Sequence, residues 1–313
     1  MKSKAFIFHT IGFACGALTL VLIGCKSPVV LPKNASPPPN MARIPAGIFR
    51  LGSDESYEEE RPVRTVKSPE FFIDKHEVTN QEFKQFIAAT GYVTVSERKP
   101  KPEDYPDADP KLLRPGSPVF SVNSKADVKG DISQWWQYTI GASWRHPLGP
   151  DSDCRDDEPV VQVAFEDALA YANWAGKELP TEIEWEVAAR GGLNGTTYIW
   201  GNEEKLNGKW PANVWQGEFP KKDNGEDGFP GIAPVGMFPP NGYGLYDMAG
   251  NVWEWTTDSS EPQAGRPTRW TKGGSFLCAA SYCHRYRPSS KIPVTEDTAT
   301  NHIGFRCVWH PKK

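Results

Sequence analysis

The stretch "TKGGSFLCAASYCHRYRPSS", Thr271 to Ser290, carries two cysteines, Cys278 and Cys283, five positions apart. A regular element would keep them apart. On a helix that spacing turns the side chains about 140° from each other, and on a strand it sends them to opposite faces. Their sulfurs meet only if Ala279-Ala280-Ser281 bends the chain, and residues this small permit a close bend. The segment therefore reads as ordered loop. If the thiols meet, Lys272, His284, Arg285 and Arg287 favour thiolate over thiol. A disulfide, a metal site, a redox pair and two packed thiols all stay open here. Two thiolates without a hard ligand suit a soft ion such as copper(I). Zinc wants four ligands, and the neighbourhood offers two cysteines and His284.

The rest of the chain agrees with a loop-rich reading. Its 313 residues include 28 Gly and 29 Pro, many for a helical protein, and suffice for a large core. Helical patterning is confined to three places. Thr79-Asn80-Gln81-Glu82 is a capping box, followed by Phe83, Phe86 and Ile87 at helical spacing and stopped at Gly91. Glu166 to Ala175 is the second, with Ala168, Leu169 and Ala172 turned inward and Gly176 ending it. Thr181-Glu182-Ile183-Glu184 opens the third, which ends at Gly191-Gly192. Arg43 to Phe49 and then Leu51-Gly52 read as strand, turn and strand. Glu55 to Arg64, dense in charge, is expected to be a solvated surface loop. The fold class is α+β with little regular secondary structure.

At the N-terminus, Lys2 and Lys4 precede an apolar run from Ala5 to Ile23, the pattern of a secretory signal. The run ends in Leu22-Ile23-Gly24-Cys25, which resembles a bacterial lipobox. That resemblance implies lipidation at Cys25; an uncleaved membrane anchor is the alternative, since the run is almost long enough to span. Residues 1–25 are thus read as a lipoprotein signal peptide, and residues 26–40, rich in proline, as an extended tether. Residues 41–313 form one domain without internal repeats. Both readings place that domain in the cell envelope, on the periplasmic or extracellular side of a bacterial membrane. The lipobox reading adds a membrane contact through the N-terminal lipid.

Several function classes are excluded. A net charge of -4 is too balanced for a nucleic-acid partner. There is no P-loop, His76-Glu77 lacks the rest of a zinc-protease motif, and Ser275 lacks the closing glycine of a nucleophile elbow. Asp223 to Gly228 matches an EF-hand opening only loosely.

Longer motifs carry a resemblance. "GLYDMAGNVWEW" (Gly244 to Trp255), "ELPTEIEWEVAARGG" (Glu178 to Gly192), "KGGSFLCAASYCHRYR" (Lys272 to Arg287) and "HIGFRC" (His302 to Cys307) together resemble the formylglycine-generating enzyme, or sulfatase-modifying factor, family. "IPAGIFRLGS", "WRHPLGPDS", "NVWQGEFP" and "GEDGFPG" extend the match over nearly the whole domain in order. The resemblance implies a fold related to C-type lectins. It also implies an oxidase that converts a cysteine in a C-x-P-x-R segment of an unfolded or partly folded sulfatase polypeptide to Cα-formylglycine with molecular oxygen. On that pattern Cys278 and Cys283 are catalytic and bind copper(I), with Ser275 and Trp253 positioning substrate or oxygen. Asn213, Asp227 and the carbonyls of Val214 and Phe229 would hold one calcium ion. Asp247, Glu254 and the carbonyls of Gly250 and Val252 would hold another.

The chain departs from the animal enzymes in its disulfides. Ala172 and Ala189 stand where those enzymes have cysteines, so Cys307 lacks its usual partner. Cys154 and Cys307 are left as the domain pair free to form a bond in an oxidising compartment. Two rivals remain at this stage. One is a non-catalytic cell-envelope lipoprotein of the same fold, against which the cysteine pair argues. The other is the iron-dependent sulfoxide synthase branch, whose added histidine-bearing helical domain has no counterpart here.

Overall fold

The computed structural model describes residues 36–311. The signal peptide, the lipidation position Cys25 and residues 26–35 of the tether lie outside the described residues. Among those described, no helix is long and apolar enough to cross a membrane. The first elements are β1 (Met41–Ile44), β2 (Gly47–Leu51), β3 (Arg64–Ser68), β4 (Phe71–Asp74) and α1 (Asn80–Thr90). Then come β5 (Gly116–Phe120), β6 (Trp136–Ile140), α2 (Phe165–Trp174) and α3 (Glu182–Ala189). The C-terminal part holds β7 (Gly217–Glu218), β8 (Lys222–Asp223), β9 (Trp253–Gln263), β10 (Arg266–Lys272), β11 (Lys291–Thr295), β12 (Ile303–Gly304) and β13 (Val308–Trp309). The fold is α+β, with five small sheets and long ordered connections.

Both capping boxes form. Thr79 Oγ1 accepts from Glu82 N while Glu82 Oε2 accepts from Thr79 N, and Thr181 and Glu184 repeat the exchange. Gly91 closes α1 in the left-handed region at φ 67°. In α2 the inward stripe is Phe165, Ala168, Tyr171 and Ala172, and Leu169 is 38% exposed, contrary to expectation. Leu169 sits one position past Ala168, about 100° further round the helix, and the bulkier Tyr171 takes the inward place.

One core joins the helices to the sheets. Phe83 of α1 meets Trp144 and Tyr171 at centroid separations of 5.2 and 5.9 Å, and Tyr171 meets Phe305 at 5.3 Å. Each such ring, fully buried, contributes roughly 1.5–3 kcal/mol. A second, smaller cluster of Phe120, Trp135, Trp215, Phe219, Phe276 and Leu277 packs under the cysteine segment.

The largest sheet runs β11-β10-β9-β12, antiparallel except where β12 joins β9. Lys272, the last residue of β10, pairs with Lys291, the first of β11. The segment Gly273–Ser290, with both cysteines, is therefore the connection between two neighbouring antiparallel strands.

Candidate active site

The chain leaves β10 through Gly273 and Gly274, at φ 96° and 78°. A Cβ on Gly274 would stand 2.8 Å from Arg285 O, so glycine lets the two arms of the loop touch. Cys278 N then donates to Ser275 O at 2.9 Å, and Cys283 N donates to Ala279 O at 2.8 Å. The second bond closes a single helical turn that does not continue. Two turns in series achieve what no regular element can, and the Cys278 and Cys283 sulfurs lie 3.2 Å apart. This is well beyond a disulfide bond of about 2.05 Å, and both thiols are free.

The two sulfurs differ. Cys278 is 1% exposed, and burial pushes its thiol well above the usual range. Cys283 is partly exposed and its thiol is lowered, first by the hydrogen bond from Cys278 and then, against burial, by the Arg285 guanidinium. The two thiols are thus pushed in opposite directions, Cys278 up and Cys283 down. Ser275 N points at Cys278 Sγ from 3.4 Å, and Trp215 N holds Cys278 O at 3.0 Å. This donor set fits copper(I): two soft sulfurs already converged, with no carboxylate between them. Among the described residues no group of three or more His, Cys, Asp or Glu side chains is arranged to hold a metal ion, so a closed zinc-type site is not formed.

Ser275 is fully buried beside Cys278, and its Oγ accepts from Leu277 N at 3.3 Å. Trp253 is a core residue, 2% exposed, whose main chain pairs with His302 O and Ile303. Cys307 is wholly buried near Asp74 and Lys177, whereas Cys154 lies beside Lys84 and Asp156. Both thiols are free, so the Cys154–Cys307 bond is not formed. Alkylation of the unfolded, unreduced protein should accordingly modify both at stoichiometric level, as read by peptide mass mapping.

The charged run Glu55–Arg64 is solvated only in part: Glu55, Glu58 and Arg61 are exposed, but Glu60 is not. Glu60 is 1% exposed, and its carboxylate accepts from Arg287 Nη1 at 2.8 Å, Arg287 Nη2 at 2.6 Å and Ser289 Oγ at 2.7 Å. Glu59 accepts from Arg285 Nε and Nη2, and Tyr57 Oη accepts from His284 N at 3.2 Å. Residues 57–60 thus grip the descending arm of the cysteine loop. A cleft of about 630 Å³ opens beside this grip, walled in part by Tyr57, His284 and Arg287, but neither cysteine lines it.

The two proposed calcium loops lie side by side. Gly250 and Asn213 are joined by a parallel bridge, and a Cβ on Gly250 (φ 76°) would meet Asn213 O at 2.1 Å. In the first loop Asp227 accepts from Val214 N and Phe229 N, both at 2.9 Å. Asn213 Oδ1 is buried without a partner. An orphaned buried oxygen fits a cation that takes amide, carboxylate and carbonyl ligands.

The second loop is more crowded than expected. Glu254 already accepts from Trp185 Nε1 and from Arg306 Nε, both at 2.7 Å on Oε2, and from Arg306 Nη2 at 2.8 Å on Oε1. Only Oε1 keeps a lone pair free. Asp247 accepts from Gly236 N at 2.6 Å, and burial pushes its carboxyl up to about 6. Glu77, not anticipated from sequence, joins them. It is fully buried, its Oε2 has no hydrogen-bond partner, and burial followed by the nearby Asp247 pushes it well above the carboxylate range. Three carboxyls share one buried guanidinium, that of Arg306, so the loop is short of positive charge.

A loop-rich α+β domain that brings two unbonded thiols together on a strand connection defines a protein of thiol-based oxidative chemistry. Its relatives agree. Residues 26–311 match the model of the sulfatase-modifying factor enzyme 1-like domain. The formylglycine-generating enzyme of Mycobacterium tuberculosis is 50% identical over 86% of this chain and 97% of its own. A mouse relative named inactive C-alpha-formylglycine-generating enzyme 2 is 42% identical over 86% of this chain and 85% of its own. In fold the chain is similar to PvdO from Pseudomonas aeruginosa, with a TM-score of 0.54 at 21% identity, over 86% of this chain and 93% of that one. The chain belongs to the sulfatase-modifying factor family, and within it we class it as a formylglycine-generating enzyme.

Proposed function

We propose that this enzyme uses copper(I) held by Cys278 and Cys283 to oxidise a cysteine of an incompletely folded sulfatase to Cα-formylglycine with dioxygen. The observation that carries the reading is the pair of free sulfurs at 3.2 Å. Copper, when bound, supplies the redox chemistry with oxygen that side chains lack. The protein's own part is to keep both sulfurs converged, to lower the Cys283 thiol relative to that of Cys278, and to shield Cys278 from solvent. Ser275, packed against Cys278, would help to place substrate and oxygen, and the buried Trp253 is read as supporting that place from the core. The substrate's β-carbon loses two electrons and its sulfur, which leaves as hydrogen sulfide; two external thiols give two more electrons and become a disulfide, so that the four electrons reduce dioxygen and one water is formed with the aldehyde. The test is direct. The purified protein is incubated with copper, a thiol reductant and a C-x-P-x-R peptide, and the peptide is weighed. Conversion of thiol to aldehyde is expected with copper, and no mass change under any metal would reject the reading.

The calcium loops are read as structural sites. The unpartnered Asn213 Oδ1 and the excess of carboxyls around Arg306 support this. A ligand present at 100 times its dissociation constant stabilises by about 2.7 kcal/mol. Strong chelator should therefore lower the melting temperature by several degrees while leaving turnover at saturating peptide nearly unchanged. Metal analysis that finds no calcium in the purified protein, with an unmoved melting curve, would sink the idea. We further read the enzyme as anchored by lipid at Cys25 outside the cytoplasm. Cys25→Ser should release it from the membrane fraction.

A further inference from the structure

We infer that the polar cleft beside the cysteine loop docks an acidic segment of the substrate polypeptide, outside the C-x-P-x-R stretch, with Arg50 and Arg190 as its readers. The inference rests on the proposed function and gives that substrate a second point of contact. At about 630 Å³ the cleft is in the size range of sites for organic ligands and short peptide segments. Three stretches wall it: the end of β2 with the loop after it, the Gly195–Thr197 loop beyond α3, and the arm from His284 to Ser289. His284 follows Cys283 directly, about 3.8 Å on along the backbone. An extended polypeptide that presents its cysteine to that loop needs only a few residues, at about 3.3 Å each, to reach the cleft.

The cleft holds guanidinium edges that nothing in the chain has claimed. Arg50 is exposed and has no acidic partner among the described residues. A Cβ on Gly195 would stand 3.2 Å from Arg50 Nη1, so this guanidinium rests on bare backbone instead of a carboxylate. Arg190 is 4% exposed. Glu186 Oε1 accepts from its Nε at 3.1 Å and from its Nη2 at 2.6 Å, and Gly52 O accepts from Nη2 at 3.2 Å. Those bonds fix the fork and leave Nη1 without an acceptor. The other arginine in the wall, Arg287, is committed to Glu60. Open guanidinium edges select a carboxylate, which they can take bidentately. The lining also includes Asp54 and Glu55, both exposed and without a cation partner among the described residues. They repel a run of acids, so the cleft reads a single acidic side chain.

The test uses the full chain and peptides made of a C-x-P-x-R core with an extension of about eight residues, which spans about 26 Å. The extension precedes or follows the core and carries one glutamate or, in its twin, one glutamine. On one side of the core, glutamate should lower KM about tenfold against its twin, with kcat within about twofold. In Arg50→Gln that ratio should fall to about twofold or less, and in Arg50→Lys, which keeps the charge without the fork, to an intermediate value. A fluorescent extension lacking the core cysteine should bind the metal-free protein with the same tenfold preference and lose it in Arg50→Gln. Equal KM for both pairs of twins would overturn the inference, and so would a ratio that Arg50→Gln leaves unchanged. Losses that track a fall in melting temperature of more than about 2 °C would count against it too. If the proposed function is what fails, no peptide is converted under any metal, and binding of the fluorescent extension then decides the docking by itself.

Discussion

Replacing either Cys278 or Cys283 by serine should abolish formylglycine formation while the fold stays intact. The hydroxyl occupies nearly the same space as the thiol but offers a hard oxygen where a soft ion needs sulfur. Neither position can cover for the other, because the two sulfurs lie 3.2 Å apart in unequal surroundings, Cys278 dry and Cys283 partly exposed. Turnover of the peptide should fall at least about a thousandfold in each variant, the scale seen when one member of a catalytic unit is lost. The double variant should be no worse than either single one, since the two act as a unit. Circular dichroism and melting should stay close to wild type, with Cys278→Ser the more affected because its environment is the drier. A single variant with wild-type copper binding and more than a tenth of the activity would refute the assignment.

The largest effect on stability is expected at Arg306. Its guanidinium is fully buried and takes Glu254 in a bidentate grip, with Glu77 at 3.8 Å and the carbonyls of Asp74 and Tyr246 on its outer nitrogens. Arg306→Met keeps the volume and removes the charge. It leaves Glu254, Glu77 and Asp247 with no buried cation. Breaking a buried pair by deleting one partner costs about 3–5 kcal/mol. Urea unfolding should show that loss, and millimolar calcium should recover part of it if the neighbouring loop binds the ion. A cost under about 1 kcal/mol would mean the carboxyls already hold protons and never needed the arginine.

Local chemistry was legible in the sequence wherever its partners lie within a few positions. Thr79 with Glu82, Thr181 with Glu184 and the bend between Cys278 and Cys283 could be reasoned out on that basis. Leu169 could not, because an apolar residue beside an apolar stripe does not say which of them the neighbouring elements will cover. Glu60 reads as one more charge in an acidic run, and its partner Arg287 lies 227 positions away. Glu77 and Arg306 are separated by nearly the whole domain. The ligand sets for copper and calcium came from family resemblance rather than from spacing, since backbone carbonyls carry no residue signature. The Cys154–Cys307 bond failed for a related reason: compartment and parity suggested it, but only the tertiary fold decides which thiols meet.

The grip of residues 57–60 on the cysteine loop also has a schedule. Glu60 is synthesised long before Arg287, with 227 positions between them. At about 5–20 residues per second, it waits roughly 10–45 s for its counter-charge to be made. Until then its carboxylate has no reason to leave water, and the arm that carries Cys283 has nothing to close against. The reactive centre is therefore among the last parts of the molecule to be assembled. A ribosome that stops before Arg287 releases a chain in which Glu60 has no counter-charge and the arm carrying Cys283 has no hold.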